Sequence, residues 1–345
     1  MRVGMNPVRN RYPTYSPKRI GVASITFAPV LEGFFREAKD VIEVHLQSIR
    51  QTIGDDADVL VFDNCSCLEV TDFLKAQHGA GIIDWLILSR HNLGKTGTLN
   101  WIFSSMPNEY IVSTDSDVLF RTGWAERSLE VFDTFEKTGI VSAQPGFFNE
   151  TVRMRQIAEK MSGVLTDVDI DEVNPFPDAF EEYCDGVNAS EDIRAQMAQN
   201  RLLVLTPPDG ETRAVLGSTS MQFMIRRDAA RQLVPLPATH TLDSDDHMQI
   251  NRKMEDLGYL QLSLLDPLVY HMGNTLQGRH MAEVDEVRRK ASISIKSAEH
   301  PVARRQRRSF LKRMLARSAT RNTVFNQLIR RVYSFLFDLL YSDQN

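Results

Sequence analysis

The sequence has little cysteine and no long apolar run, and each shortage excludes a class of protein. Three cysteines in 345 residues, Cys65, Cys67 and Cys184, are too few for a disulfide-stabilised scaffold and are typical of a reducing cytoplasm. Cys65 and Cys67 form C-x-C without a second pair to complete a zinc site, so we interpret all three as ordinary thiols. No stretch of about 18 consecutive apolar residues occurs, and we therefore expect no transmembrane helix.

Two phosphate-binding motifs and an excess of positive charge are also missing. No G-x-G-x-x-G follows the first predicted strand, and Gly94-Lys95-Thr96 lacks the earlier glycine of a Walker loop. With 40 Lys+Arg against 45 Asp+Glu the net charge is −5, which argues against a general nucleic-acid binder. The apolar share of 42% and the charged share of 25% are ordinary for a globular protein and exclude wholesale disorder.

Short β-branched apolar runs alternate with helical patterns through the first third of the chain. The pattern predicts strands at 20–26, 59–62, 82–88 and 110–113, and helices at about 31–53, 68–78 and 99–105. This spacing is typical of βαβ units, so we expect an α/β fold with a mostly parallel, Rossmann-like sheet flanked by helices. Ligands bind at the carboxyl ends of such strands. Seven polar residues are predicted to lie there: Thr26, Asp63, Asn64, Asn92, Lys95, Asp115 and Asp117.

Charge is unevenly distributed and suggests how the chain is organised. Residues 1–17 form a polar leader without the apolar stretch of a signal peptide, and 18–300 form the main domain. Within that domain, 150–211 carry 14 acidic and 5 basic residues, and we interpret them as an inserted, lid-like segment of mixed helix and loop. Residues 301–345 are +8 whereas 1–300 are −13, and apolar residues repeat at helical spacing in this basic tail.

An acidic pair follows the fourth predicted strand. Asp115 and Asp117, separated by Ser116, are placed to meet one divalent cation, one carboxylate directly and the other through water or a ribose hydroxyl. Hard oxygen ligands suit Mg²⁺ or Mn²⁺, and His271, after a later short strand, would complete the metal shell. Alone, D-x-D also occurs by chance in surface loops, and a lone histidine is more often structural than a ligand.

A second acidic cluster, Asp243-Ser-Asp-Asp246, precedes a predicted helix over 247–257. Acids stabilise a helix N-terminus, so capping is one interpretation. Three carboxylates exceed what capping needs, and like charges so close raise the pKa of at least one of them, which suits a general base. The sequence leaves both interpretations open.

Together these pieces resemble family 2-type glycosyltransferases with the GT-A fold over about residues 18–275. The matching pieces, in order, are the first strand Gly21–Thr26, the turn Asp63–Ser66, the loop Arg90–Gly94 with Asn100, the D-x-D Asp115–Asp117, the pair Asp245-Asp246 with Arg252, and Tyr270-His271. The family usually has Glu-Asp where this chain has two aspartates, and its Gly-Gly-Phe run is replaced by residues 237–242.

The resemblance implies a metal-dependent, inverting glycosyltransferase that uses Mn²⁺ or Mg²⁺. It would move a sugar from a nucleoside-diphosphate sugar, a UDP-sugar being favoured, to a glycan or lipid-linked acceptor in polysaccharide biosynthesis. Residues 18–120 would form the nucleotide-sugar half and 212–300 the acceptor half. The implied location is the cytoplasm or the inner face of the membrane.

The resemblance also implies a role for each matched residue. Thr26, Asp63 and Asn64 would contact base and ribose, Asn92 and Lys95 the base or diphosphate, and Asp115 and Ser116 the nucleotide sugar. The implied metal ligands are Asp115, Asp117 and His271. Asp246 would be the general base, with Asp245 in reserve, and Gly217 and Ser218 would line the acceptor side.

Three alternatives belong to other classes. A haloacid-dehalogenase-type phosphatase expects D-x-D on its first strand and Thr or Val two residues later, whereas three strands precede Asp115 and Leu119 holds that later position. A nucleotidyltransferase expects a glycine-rich basic loop after its first strand, which residues 26–30 lack. A non-catalytic scaffold with this fold would have no need for the intact Asp115, Asp117, Asp246 and His271.

The basic tail generates a test of membrane binding. A basic amphipathic helix binds anionic lipid surfaces, but a helix docked on the main domain would need the same apolar stripe. We predict that deleting residues 301–345 abolishes co-sedimentation with phosphatidylglycerol-containing liposomes, with pure phosphatidylcholine liposomes as the uncharged control. Equal sedimentation of the shortened and full chains would favour docking on the main domain instead.

Overall fold

The predicted alternation of strands and helices is confirmed over the first third of the chain. The computed structural model describes residues 15–237 and 245–297, with residues 17–296 in one unit. Its first elements are β1 (Ile20–Thr26), α1 (Ala38–Ile53), β2 (Ala57–Asn64), α2 (Leu68–Gly79), β3 (Trp85–Ser89), α3 (Gly94–Ser105) and β4 (Tyr110–Asp115). The leader residues 1–14 and the tail 301–345 lie outside the described residues.

The second part of the described chain is also a mixture of strands and helices. Its elements are β5 (Val118–Phe120), α4 (Trp124–Thr134), β6 (Thr138–Ser142), α5 (Thr151–Lys160), β7 (Asp169–Val173), α6 (Pro177–Gly186), α7 (Glu191–Met197), β8 (Leu202–Thr206), β9 (Ala214–Leu216), β10 (Gln222–Arg226), α8 (Arg227–Leu233), α9 (Asp245–Asp256), β11 (Leu260–Ser263), β12 (Val269–His271) and α10 (Met281–Ser297). In the described ranges, no helix is both long and apolar enough to cross a membrane.

Ten strands form one sheet in the order β3-β2-β1-β4-β10-β6-β11-β9-β8-β7. The first four pair in parallel, as the βαβ spacing predicts, and β6 pairs in parallel with β11. β10 runs antiparallel between β4 and β6. Strands β5 and β12 form a separate two-stranded ladder, which attaches the chain after Asp115 to the chain near His271.

Two predicted helix boundaries were wrong. The helix expected from about residue 31 begins at Ala38, after a short 3-10 turn at Gly33–Phe35 whose first residue has φ of +53°. The helix expected from residue 99 begins at Gly94, so Lys95 lies in its first turn rather than in a loop. Glycine and threonine are abundant at the start of α3, and local propensity therefore favoured a loop where tertiary contacts stabilise a helix.

The acidic segment 150–211 is more regular than the predicted mixture of helix and loop. Its strands β7 and β8 extend the main sheet through β9. Several of its carboxylates form ion pairs with arginines: Glu172 with Arg155, Glu181 with Arg194, Glu182 with Arg121, and Asp185 with Arg194 and Arg279. The segment is therefore part of the sheet's architecture.

A buried histidine connects α1 with β5. His45 is fully buried, its Nδ1–H donates to the Val118 carbonyl over 2.6 Å, and its Nε2 accepts from the Ser24 hydroxyl over 2.9 Å. Burial lowers the pKa of His45 to about 4, although the Val118 hydrogen bond and the nearby Asp117 charge act in the opposite direction. The ring is therefore neutral at physiological pH, in the tautomer that this hydrogen-bond pattern needs.

This histidine predicts how stability depends on pH. Because the folded pKa lies below the unfolded value of about 6.5, the unfolded chain takes up a proton first as the pH falls. We predict a loss of up to about 3 kcal/mol in the free energy of unfolding between pH 6.5 and pH 4 from this group.

Urea denaturation of the wild type and His45→Gln at pH 7.5, 6 and 5 measures this loss, since glutamine retains hydrogen-bonding groups but does not titrate. The wild type should lose more stability than the variant over that range. Parallel pH profiles for the two proteins would show that His45 does not carry the effect.

Candidate active site

The ends of three parallel strands bring polar side chains together at one edge of the sheet. The strand register pairs Thr26 at the end of β1 with Asp63 on β2, and Ile25 with Asp115 at the end of β4. The predicted convergence of Thr26, Asp63 and Asp115 is therefore present in the strand register. A ligand crossing this edge would meet all three strands.

Two buried polar atoms at this edge have no hydrogen-bond partner among the residues that the structure describes. They are the Thr26 hydroxyl oxygen and Asp63 Oδ1. The other carboxylate oxygen of Asp63 accepts from the Ser66 backbone N–H over 3.2 Å. Burial raises the pKa of Asp63, and the Ser66 hydrogen bonds only partly offset it. Buried polar atoms are seldom left unpaired, so both are available to a ligand.

Asn64 and Asn92 hydrogen-bond to each other and define the start of α3. The Asn64 amide donates to Asn92 Oδ1 over 2.9 Å, and its own oxygen accepts from the Leu93 N–H over 2.7 Å. Asn92 Oδ1 also accepts from the Gly94 N–H over 2.8 Å. These contacts cap the first turn of the helix that carries Lys95.

Lys95 reaches the acidic strand end directly. Its Nζ lies 2.7 Å from Asp115 Oδ1 and 3.0 Å from the Ser220 carbonyl oxygen. Burial raises the pKa of Asp115, and the negative charge of Asp117 acts in the same direction while Lys95 opposes both. Ser116 is half-buried between the two aspartates. Lys95 therefore supplies positive charge at the carboxylate that the resemblance places beside ribose and metal.

Asp117 pairs with His271 across the small ladder. The register of β5 and β12 places His271 opposite Val118, and His271 Nε2 lies 3.2 Å from Asp117 Oδ2. His271 Nδ1–H donates to the Gly186 carbonyl over 2.8 Å. Burial opposes charge on both side chains, yet their mutual attraction outweighs it. The pKa of His271 is raised to about 9, and that of Asp117 is held below its usual range.

The donor atoms at this pair fit a divalent cation. Asp117 Oδ1 is buried and has no hydrogen-bond partner in the described part of the chain, and the Gly186 contact fixes the ring so that Nε2 faces the carboxylate. A carboxylate with an imidazole oriented by a carbonyl is a donor set that Mn²⁺ accepts. Asp115, the third predicted ligand, bonds to Lys95 instead, and the described residues hold no preformed group of three ligating side chains.

The acidic segment supplies a site residue that the sequence did not reveal. Gly186 ends α6, and a Cβ at this position would lie 2.8 Å from the His271 carbonyl oxygen. Only glycine allows α6 to approach β12 this closely. A glycine at a helix end is too common to be recognised as a functional residue from sequence, and Ser220 gave no signal either.

The predicted acceptor residues lie between this edge and an open cavity. Gly217 has φ of +109° and donates its N–H to the Gln261 carbonyl over 2.8 Å. Gly217 and the buried Ser218 line the cavity, and three residues later the Met221 carbonyl accepts from the Asp115 N–H. The predicted base falls on α9, which begins at Asp245. The side chains of Asp245 and Asp246 lie outside the described residues.

Comparison with known proteins matches part of the chain to a family. Residues 34–187 match the family described as Glycosyl transferase family 2. This range includes Asp63, Asn92, Lys95, Asp115 and Asp117 and ends before α9 and β12. No curated protein matches the chain.

Two solved structures show weak likeness. One is a mannosyltransferase, PcManGT, from Pyrobaculum calidifontis in complex with GDP-Man and Mn²⁺, with 14% identity over 99% of this chain and 90% of that one and a TM-score of 0.45. The other is S. aureus TarS 1-349 in complex with UDP-GlcNAc, with 13% identity over 82% and 68% of the chains and a TM-score of 0.43. Likeness at this level carries no argument about substrate. The match over residues 34–187, on an α/β sheet of the expected kind, shows that this part of the chain is similar to glycosyl transferase family 2 and supports a glycosyltransferase.

Proposed function

We propose that this enzyme transfers a sugar from a nucleoside-diphosphate sugar to a glycan or lipid-linked acceptor, with inversion and with a divalent cation. One observation carries the proposal, namely the edge where three strands end. There, unpaired buried oxygens of Thr26, Asp63 and Asp117 lie beside the Lys95–Asp115 and Asp117–His271 pairs. Such an edge offers hydrogen bonds for a nucleoside and balanced charge for a diphosphate.

The donor would lie along the ends of β1, β2 and β4. Thr26 and Asp63 would bind base and ribose through their unpaired oxygens, and the Asn64–Asn92 pair would hold α3 so that Lys95 reaches the diphosphate. Asp115 and Ser116 would contact the ribose side. Mn²⁺ or Mg²⁺, held by Asp117 and His271 with Asp115, would neutralise charge on the departing diphosphate.

The transfer itself would be a single in-line displacement. The acceptor hydroxyl oxygen attacks the anomeric carbon, its proton passes to the Asp246 carboxylate, and the bond to the diphosphate oxygen breaks as the nucleoside diphosphate leaves. Asp245 is the reserve candidate for the base. Both lie at the start of α9, whose N-terminus favours a carboxylate.

The remaining assignments follow from the sequence, through the resemblance and the charge pattern of the tail. UDP-sugars are the first donors to test, polysaccharide biosynthesis is the proposed process, and the basic residues 301–345 are proposed to hold the enzyme on the inner face of the membrane. Residues 18–120 and 212–300 are proposed as donor and acceptor halves.

The metal role predicts a specific loss of activity. With Mn²⁺ present, release of diphosphate product from one member of a panel of UDP-, GDP- and dTDP-sugars should fall at least 100-fold in Asp117→Ala, because a charged ligand is lost. EDTA should cause a similar loss that Mn²⁺ restores. The control is Asp171→Ala, which removes an exposed carboxylate on β7. Activity that survives both EDTA and Asp117→Ala would exclude the metal role.

The base assignment predicts a difference between two neighbouring carboxylates. Asp246→Asn keeps the shape of the side chain but cannot accept the acceptor proton, so transfer should fall by roughly 100- to 10,000-fold. Asp245→Asn should retain far more activity. Kinetics of the two variants, with donor affinity measured separately, make the comparison. A wild-type rate in Asp246→Asn would exclude it as the base, and a loss confined to Asp245→Asn would transfer the role to that residue.

A further inference from the structure

A groove runs between α5 and α9 on the acceptor side of the sheet. It has a volume of about 720 Å³, its walls are one face of each helix, and its floor is formed by Leu216, Gly217, Ser218 and Gln261. This volume is within the usual range of ligand sites. The groove lies outside the edge where β1, β2 and β4 end. The two are linked along the chain, because Ser220, two residues after the floor residue Ser218, accepts a hydrogen bond from Lys95.

The formal charges of the side chains that line the groove sum to zero. Three cations line it, Arg153, Lys160 and Arg252, together with three anions, Glu150, Glu255 and Asp256. Arg153 pairs with Glu255 and Lys160 with Asp256, so the two helices are joined by ion pairs across the groove. A groove without excess charge favours an uncharged ligand over a phosphate or a polyanion.

Two amide atoms in the groove are buried and have no hydrogen-bond partner within residues 15–237 and 245–297. Asn149 Nδ2 is an unpaired donor and Asn251 Oδ1 an unpaired acceptor. The Asn149 amide occupies space that exists because Gly146 and Gly217 lack side chains, since a Cβ on either would lie 2.4 Å from its nitrogen. An unpaired buried amide opposes folding, which the fold tolerates where a ligand supplies the partner.

An aromatic ring lies at the opening of the groove. Phe148 is 54% exposed, and its edge packs against Tyr183 with ring centroids 5.9 Å apart. An exposed ring beside amide donors and acceptors suits a sugar, whose C–H face packs on the ring while its hydroxyl groups pair with the amides.

From these contacts we infer that the groove between α5 and α9 binds an uncharged oligosaccharide as the acceptor, with Asn149 donating to and Asn251 accepting from its hydroxyl groups. This inference rests on the proposed transferase function and adds the acceptor's chemical class and binding site. Gly217 and Ser218 then form the floor along which the acceptor approaches the donor.

Saturation-transfer NMR with maltotriose, cellotriose, mannotriose and chitotriose, without donor, tests the inference. The wild type should bind at least one trisaccharide, and Asn251→Leu should weaken that binding at least tenfold. Its melting temperature should stay equal or rise, because an unpaired amide is replaced by an apolar group of similar size. Asn149→Ser is the second variant should the first not fold. Gln196→Leu, an exposed amide on α7, is the matched control and should bind as the wild type does.

The outcomes separate this inference from the proposed function. Trisaccharide binding that Asn251→Leu weakens supports the groove, even if no nucleoside-diphosphate sugar is hydrolysed and the transferase proposal fails. The assignment of the groove as an oligosaccharide site is overturned if none of the four trisaccharides binds, or if the wild type and both groove variants bind equally. This holds even if donor hydrolysis is observed. Binding lost with a parallel fall in melting temperature in both variants also counts against it, since that result assigns the amides to the fold.

Discussion

The geometry of the candidate site depends on the charge pair between Asp117 and His271. Neither side chain would be stable in its charged form when buried alone, so each needs the other. The pair joins residues far apart in sequence, and the β5–β12 ladder holds them in register. The Gly186 carbonyl then fixes the imidazole from its far side. The strand-end edge, the β5–β12 ladder and the acidic segment therefore meet at a single contact.

The sequence was sufficient to predict the first four strands and the residues at their ends. Parallel strands joined by helices end at the same edge, so Thr26, Asp63 and Asp115 had to lie near one another. The sequence predicted that Asp117 and His271 share a metal but not the β5–β12 ladder that joins them, because strands of three residues are too short to show a period. Gly186 allows a close contact because it lacks a side chain, and the Asn149 amide is buried with no hydrogen-bond partner among the described residues. Neither property leaves a pattern in a single sequence.

The acidic segment has a clearer role in the structure than in the sequence. Its excess charge suggests a lid-like insertion, but several of its carboxylates form ion pairs with arginines, two of which, Arg121 and Arg279, lie outside the segment. Arg121 at the end of β5 is an example, since it contacts Glu182 on α6 and Glu283 on α10. The segment thereby brings α6 against His271 and forms one wall of the groove through α5. The Asp117–His271 pair and the groove are consequently both supported by this one segment.

The position of β7 has a consequence for how copies of this protein meet in solution. A sheet of ten strands ends in unpaired backbone groups, which invite a second molecule to add a strand. At this edge the strand is only five residues long and carries the exposed carboxylates of Asp169 and Asp171. Two such edges would repel each other at neutral pH. The segment that supports the site therefore also blocks edge-to-edge aggregation at this side of the sheet.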